Sequence, residues 1–184
     1  MDLIARVAKH FEDSAQTKLD AVEAMASPIA GAIEAIARLN QNGYRVVVAT
    51  NQSGIGRGLF DMATLNAIND KMMGLVFRAG GRIDAIFFCP CTAEQHCHCR
   101  KPDTGMFEDI AARYQMGLSG APCIGDSLRD LEAGAKAGCA PVLVLTGKGK
   151  KTRDKGDLPP GTRVFPDLSA AADALIADSF RATG

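Results

Sequence analysis

Cys89, Cys91, Cys97 and Cys99 place four soft ligands within eleven residues, paired at the two ends of a short loop. Four thiolates at that spacing suit tetrahedral Zn²⁺, a closed structural site pinning a loop too small to bury a core of its own. Free or oxidised thiols are the alternative, and His96 and His98 offer substitute ligands in the same loop. Arg100 and Lys101 follow directly, before Pro102. Two cations can neutralise charge on a transferring phosphoryl group, although such a dipeptide alone is also an ordinary solvated pair. Upstream, Thr50-Asn51-Gln52-Ser53-Gly54-Ile55-Gly56-Arg57-Gly58 joins a hydroxyl, successive backbone N–H groups and glycines after an apolar run. That composition forms an anion cradle at a strand end, or simply a glycine-rich turn. Gly125-Asp126 ends another apolar run, where a carboxylate suits Mg²⁺ held by few protein oxygens plus phosphate. The other use of Asp126 is to cap a helix starting near Leu128. Asp130 either backs that site or adds charge to the first turn.

These groups need strands to end beside them. Arg45–Thr50, Ile83–Cys89, Ala121–Gly125 and Pro141–Leu145 read as short buried strands, and Arg163–Phe165 as a last one. Between and after them, 30–39, 62–79, 105–117, 128–137 and 168–180 carry apolar residues at helical spacing, with Asp61 and Asp103 as N-caps. Thr146–Thr162, rich in Gly, Lys and Pro, reads as a mobile loop. Strand–helix alternation predicts an α/β fold, a three-layer Rossmann-like parallel sheet.

The chain has 184 residues, 47% of them apolar, enough for one domain with a real core. Lys+Arg and Asp+Glu both number 21, so no net field points to nucleic acid or an anionic membrane. No run of 18 apolar residues exists, and the first residues lack a hydrophobic signal core. The expected location is the cytoplasm. Cys123 and Cys139, in apolar surroundings, read as small buried hydrophobes.

Residues 30–180 resemble the bacterial D-glycero-D-manno-heptose 1,7-bisphosphate 7-phosphatases of the haloacid-dehalogenase superfamily, close to histidinol-phosphate phosphatases. The signature Thr-Asn-Gln-Ser-Gly-Ile-x-Arg-Gly spans Thr50 to Gly58, with Arg100-Lys101-Pro102 and Gly125-Asp126 in order behind it. The resemblance implies that Thr50 and Asn51 bind the transferring phosphate, and that Gln52, Ser53 and Arg57 shape the pocket. It implies that Arg100 and Lys101 stabilise charge and that Asp126 holds Mg²⁺. The substrate would be a small phosphorylated sugar on the route to lipopolysaccharide heptose, handled by a monomer. The family's loop commonly has Cys-x-His then Cys-x-Cys; Cys91 here replaces imidazole with thiolate.

The family attacks phosphorus with an Asp at the end of the central first strand, and a second Asp two residues later protonates the leaving oxygen. This chain contains no Asp-x-Asp-Gly. Counted back from Gly31 without gaps, Val7 and Lys9 stand at the two carboxylate positions. Neither can form an aspartyl-phosphate, so hydrolysis is expected to be impaired or absent. Phe11, Ala15, Leu19 and Val22 instead mark one face of a helix. Residues 4–30 resemble the N-terminal helix of sugar-isomerase-domain phosphoheptose isomerases, which implies a chimera joined near Pro28–Gly31. On this reading residues 1–29 are a foreign helical segment, able to mediate self-association, and 30–184 the phosphatase domain with its zinc loop at 89–99. The central strand would be replaced by a helix or degraded, leaving a non-catalytic phosphosugar- and zinc-binding relic. Each buried backbone group so orphaned costs about 1–3 kcal/mol. Residues 2–8 must therefore pair as a poor strand, or the sheet splits or the domain loses stability.

Overall fold

The computed structural model describes residues 2–5 and 28–182. Six parallel strands form one sheet: β1 (Asp2–Ala5), β2 (Arg45–Asn51), β3 (Ala85–Cys89), β4 (Pro122–Gly125), β5 (Ala140–Val144) and β6 (Arg163–Phe165), in the order β3-β2-β1-β4-β5-β6. The helices are α1 (Ala32–Gln41), α2 (Ser53–Gly56), α3 (Met62–Arg78), α4 (Gly105–Tyr114), α5 (Leu128–Lys136), α6 (Gly149–Lys155) and α7 (Leu168–Ala182).

Side-chain alternation along the strands builds the two helical layers. Val46 joins Ile36, Leu39, Val76, Leu168 and Leu175 in a core under α1, α3 and α7. Its neighbour Val47, with Ala49, points the other way into Met106, Phe107 and Ile110 of α4 and Ala133 of α5. Cys123 and Ile124 split between the same two cores. Such runs, buried on both faces, are apolar throughout, which is why the strands read as blocks rather than as alternating patterns. Across the first layer, the buried Tyr44 hydroxyl donates to the Leu175 carbonyl at 2.8 Å, tying the start of β2 to α7.

The centre of the sheet differs from the sequence expectation. Asp2–Ala5 is a strand, neither lost nor replaced by a helix, and it lies between β2 and β4. Leu3 is level with Val46, and Ile4 with both Val47 and Cys123. Of the expected outcomes, short strand pairing is the one present. Neighbours on both sides satisfy the backbone, and Leu3-Ile4-Ala5 is apolar enough for an interior position. The helix read over residues 10–26, and Val7 and Lys9, lie outside the described residues.

Three smaller expectations also change. Thr146–Thr162 contains α6, whose Gly-Lys-Lys-Thr-Arg-Asp-Lys sequence has no apolar stripe to reveal it. Residues 105–117 stop being helical at Tyr114, where Gln115 turns left-handed at φ 52°. Asp61 does cap α3, accepting from the Thr64 N–H at 2.9 Å, but the residue before α4 is Thr104, without a side-chain cap, rather than Asp103. No helix among the described residues is long and apolar enough to cross a membrane.

Leu39 is fully buried between the α1, α3 and α7 side chains. Leu39→Ala is expected to cost about 2–5 kcal/mol by leaving a cavity, read as a lower urea midpoint with an unchanged slope.

Candidate active site

The carboxyl ends of the parallel strands gather the polar residues. Thr50 and Asn51, at the end of β2, are buried and stand level with Phe88 and Cys89 of β3. The chain leaves β2 under restraint: the Gln52 N–H donates to the Cys89 carbonyl at 2.7 Å and the Gly56 N–H to the Pro90 carbonyl at 3.2 Å. Gln52 Nε2 donates to Thr50 Oγ1 at 3.3 Å. Ser53 is buried at the start of α2, and Arg57 is exposed just after it.

Lys101 is the most constrained of these groups. Only 2% of its side chain is exposed. Its Nζ donates to the Ala49 carbonyl at 2.6 Å and pairs with Asp130 Oδ1 at 2.7 Å. The Asn51 amide grips the Lys101 main chain at both ends, accepting from its N–H at 3.1 Å and donating to its carbonyl at 3.0 Å. In this arrangement the Asn51 side chain positions Lys101. Asp130 also accepts from Ser127 Oγ at 2.6 Å. It fits beneath β4 because Gly125 has no Cβ; one built there would stand 2.5 Å from the Cβ of Asp130. Arg100, half-buried, donates from Nη1 to the Cys91 carbonyl at 2.8 Å.

Asp126, 3% exposed, follows β4. It does not cap α5, whose cap residue is Ser127. Its Oδ2 accepts from the Lys148 N–H at 3.1 Å, and its carbonyl accepts from the Thr152 hydroxyl at 2.8 Å. These partners come from 22 and 26 residues away. No local pattern marks them, and sequence reasoning did not find them.

In the cysteine loop, Cys91 and Cys97 are joined as a disulfide, whereas Cys89 and Cys99 are free thiols. The loop in this state is therefore not the set of four thiolates expected. The Sγ atoms of Cys89, Cys91 and Cys99 nevertheless lie within 4.8 Å of one another. Zn–S bonds of about 2.3 Å put tetrahedral sulfurs roughly 3.8 Å apart, a separation comparable to that of these three sulfurs; Cys97 is not among them. Burial, then the adjacent Cys89 thiol, pushes Cys99 up to about 11, so a cation beside it is what would make it a thiolate. Burial alone pushes Cys139 up to about 12, as suits a core thiol. Next to the loop, exposed His98 pairs with Glu108 at 2.9 Å. That hydrogen bond raises His98 and lowers Glu108 from their ordinary values.

A parallel sheet with this cation, carboxylate and hydroxyl set at its carboxyl end defines a haloacid-dehalogenase-type hydrolase. Residues 98–171 match the HAD-hydrolase-like family and residues 6–127 the polynucleotide kinase 3 phosphatase family. More narrowly, the chain belongs to the D-glycero-β-D-manno-heptose-1,7-bisphosphate 7-phosphatase family. It is 57% identical over 149 residues to the member from Bordetella bronchiseptica, covering 81% of this chain and 83% of that one. The Pseudomonas aeruginosa member is 50% identical over the same shares. A crystal structure of the B. bronchiseptica D,D-heptose 1,7-bisphosphate phosphatase, complexed with magnesium and phosphate, superposes with a TM-score of 0.87. Its identity is 50%, over 97% of this chain and 98% of that one. None of these relatives is an isomerase, and the second family match runs through residues 6–29, where an isomerase-like helix was expected.

Lys101→Met would remove the ammonium that pairs with the buried Asp130 carboxylate. A loss of about 3–5 kcal/mol is expected, much of it recovered in Lys101→Met/Asp130→Leu, as measured by urea unfolding of the single and double variants.

Proposed function

We propose that this chain is by descent a Mg²⁺-dependent phosphatase for the 7-phosphate of a heptose 1,7-bisphosphate, working in the cytoplasm, with hydrolysis impaired in the chain as written. The carrying observation is the buried set of Thr50, Lys101 and Asp126 at one sheet end, in a chain more than half identical to a named heptose bisphosphate phosphatase. Asp126 would hold the Mg²⁺, which neutralises phosphoryl charge when bound. Lys101 and Arg100 would oppose the same charge, Thr50 would donate its hydroxyl to the phosphate, and Gln52, Ser53 and Arg57 would line the sugar side. Arg57 and Arg100 also act together on Glu94, whose carboxyl they help to lower after its Thr92 and backbone hydrogen bonds.

Impairment is inferred from the missing carboxylates. Ala5 of β1 stands level with Ile124, two residues before Asp126, and two residues beyond Ala5 the sequence has Val7, then Lys9. An aliphatic side chain cannot attack phosphorus, and an ammonium cannot serve as the general base. Proximity and orientation are large terms in catalysis, so a carboxylate displaced from this end would not restore the rate. With turnover lost, what remains is a phosphosugar-binding domain whose sheet includes β1 at its centre.

Zinc is the second cofactor in this proposal, held by Cys89, Cys91, Cys97 and Cys99 once the Cys91–Cys97 pair is reduced. Reduced protein is expected to carry one zinc per chain by metal analysis and to lose thermal stability on chelation. A zinc-free reduced protein of unchanged stability would exclude the site.

Phosphate release from heptose 1,7-bisphosphate with Mg²⁺, beside Asp126→Asn, tests the catalytic reading. Little or no release by folded protein is expected, with retained binding of the bisphosphate. Turnover abolished by Asp126→Asn would mean that another carboxylate supplies the nucleophile. Release from histidinol phosphate in preference to the heptose compound would move the chain to the neighbouring activity.

A further inference from the structure

The segment between β5 and β6 lies directly behind Asp126. The Gly149 N–H donates to the Thr146 carbonyl at 2.9 Å, closing a turn in which Gly147 adopts φ +56°. This turn aims the Lys148 N–H at Asp126 Oδ2. A Cβ on Gly147 would stand 2.3 Å from that same oxygen, so both the left-handed backbone and the close approach require glycine there. From the following helix, Thr152 is 7% exposed and donates its hydroxyl to the main-chain carbonyl of Asp126. One short element thus holds the side chain and the main chain of the same residue.

We infer that the β5–α6 turn is a positioning device, in which Gly147 and Thr152 hold the Asp126 carboxylate in the orientation that binds a divalent cation. The inference rests on the reading of Asp126 as a Mg²⁺ ligand. The amide donor limits rotation of the carboxylate, and the buried hydroxyl limits movement of the backbone that carries it. Partners that orient metal-binding groups are commonly worth about 10–100-fold in metal affinity. Neither Gly147 nor Thr152 needs to touch the cation for this effect.

The test is Mn²⁺ binding by the full chain, followed by electron paramagnetic resonance, which needs no turnover. Thr152→Val keeps the side-chain shape and removes the donor, and Thr152→Ser restores it. The dissociation constant for Mn²⁺ is expected to rise roughly tenfold in Thr152→Val and in Gly147→Ala, and to return to within about twofold of the parent in Thr152→Ser. Should Gly147→Ala not fold, the Thr152 pair carries the test. Parental affinity in Thr152→Val, with binding lost in Asp126→Asn, overturns the positioning role while leaving Asp126 a ligand. Parental affinity in Asp126→Asn overturns the metal reading and the positioning role together.

Discussion

A buried ammonium is intolerable unless oxygens surround it, and the Lys101 ammonium is nearly inaccessible. Its partners come from separate parts of the fold: the Ala49 carbonyl from β2 and the Asp130 carboxylate from α5. The Asn51 amide holds the main chain of the same lysine. The end of β2, the turn before α4 and the first turn of α5 are consequently fixed relative to one another by one charge. A phosphate entering this end of the sheet would meet a cation whose position is already determined, so little reorganisation would accompany its binding.

The cysteine loop extends that constraint outward. Its first residues bond to the turn after β2 through the Cys89 and Pro90 carbonyls, and Arg100 bonds back to the Cys91 carbonyl. These are main-chain contacts and do not depend on the state of the sulfurs. The Cys91–Cys97 crosslink within the loop therefore stiffens the approach to Lys101 without altering which groups meet there. The loop is small and exposes much of its surface, so the Cys91–Cys97 crosslink adds to the limited apolar burial available there.

The sheet centre shows what a parallel strand asks of its sequence when both neighbours are in place. Within the described residues β1 pairs on both sides, with Ile4 level with Val47 and Cys123. Backbone pairing asks only for apolar residues of the right length, which Leu3-Ile4-Ala5 supplies. Chemistry asks for particular side chains beyond the strand, and there the sequence has Val7 and Lys9. Backbone hydrogen bonds are indifferent to side-chain identity, so the pairing of β1 says nothing about which side chains follow it.

Much of the domain was legible in the residues themselves. The apolar blocks located β2, β4 and β5 to within a residue, since a strand buried on both faces has few polar positions to blur it, and β3 and β6, less buried, to within two. Thr50 sits at the end of such a block and Asp126 just past one, at the end where a parallel sheet delivers its loops, whereas Lys101 follows the cysteine loop twelve residues beyond β3. Tertiary structure alone decided what those groups bond to. The Lys101–Asp130 pair, the Asn51 grip on Lys101, and the hold of Lys148 and Thr152 on Asp126 join residues distant in sequence. Helix α6 stayed hidden because it lies against the end of β5 by glycine and threonine rather than by an apolar face. Local periodicity records which surface a segment buries; it carries no record of which distant polar atom a buried group must find, because that pairing exists only once the sheet has brought the two together.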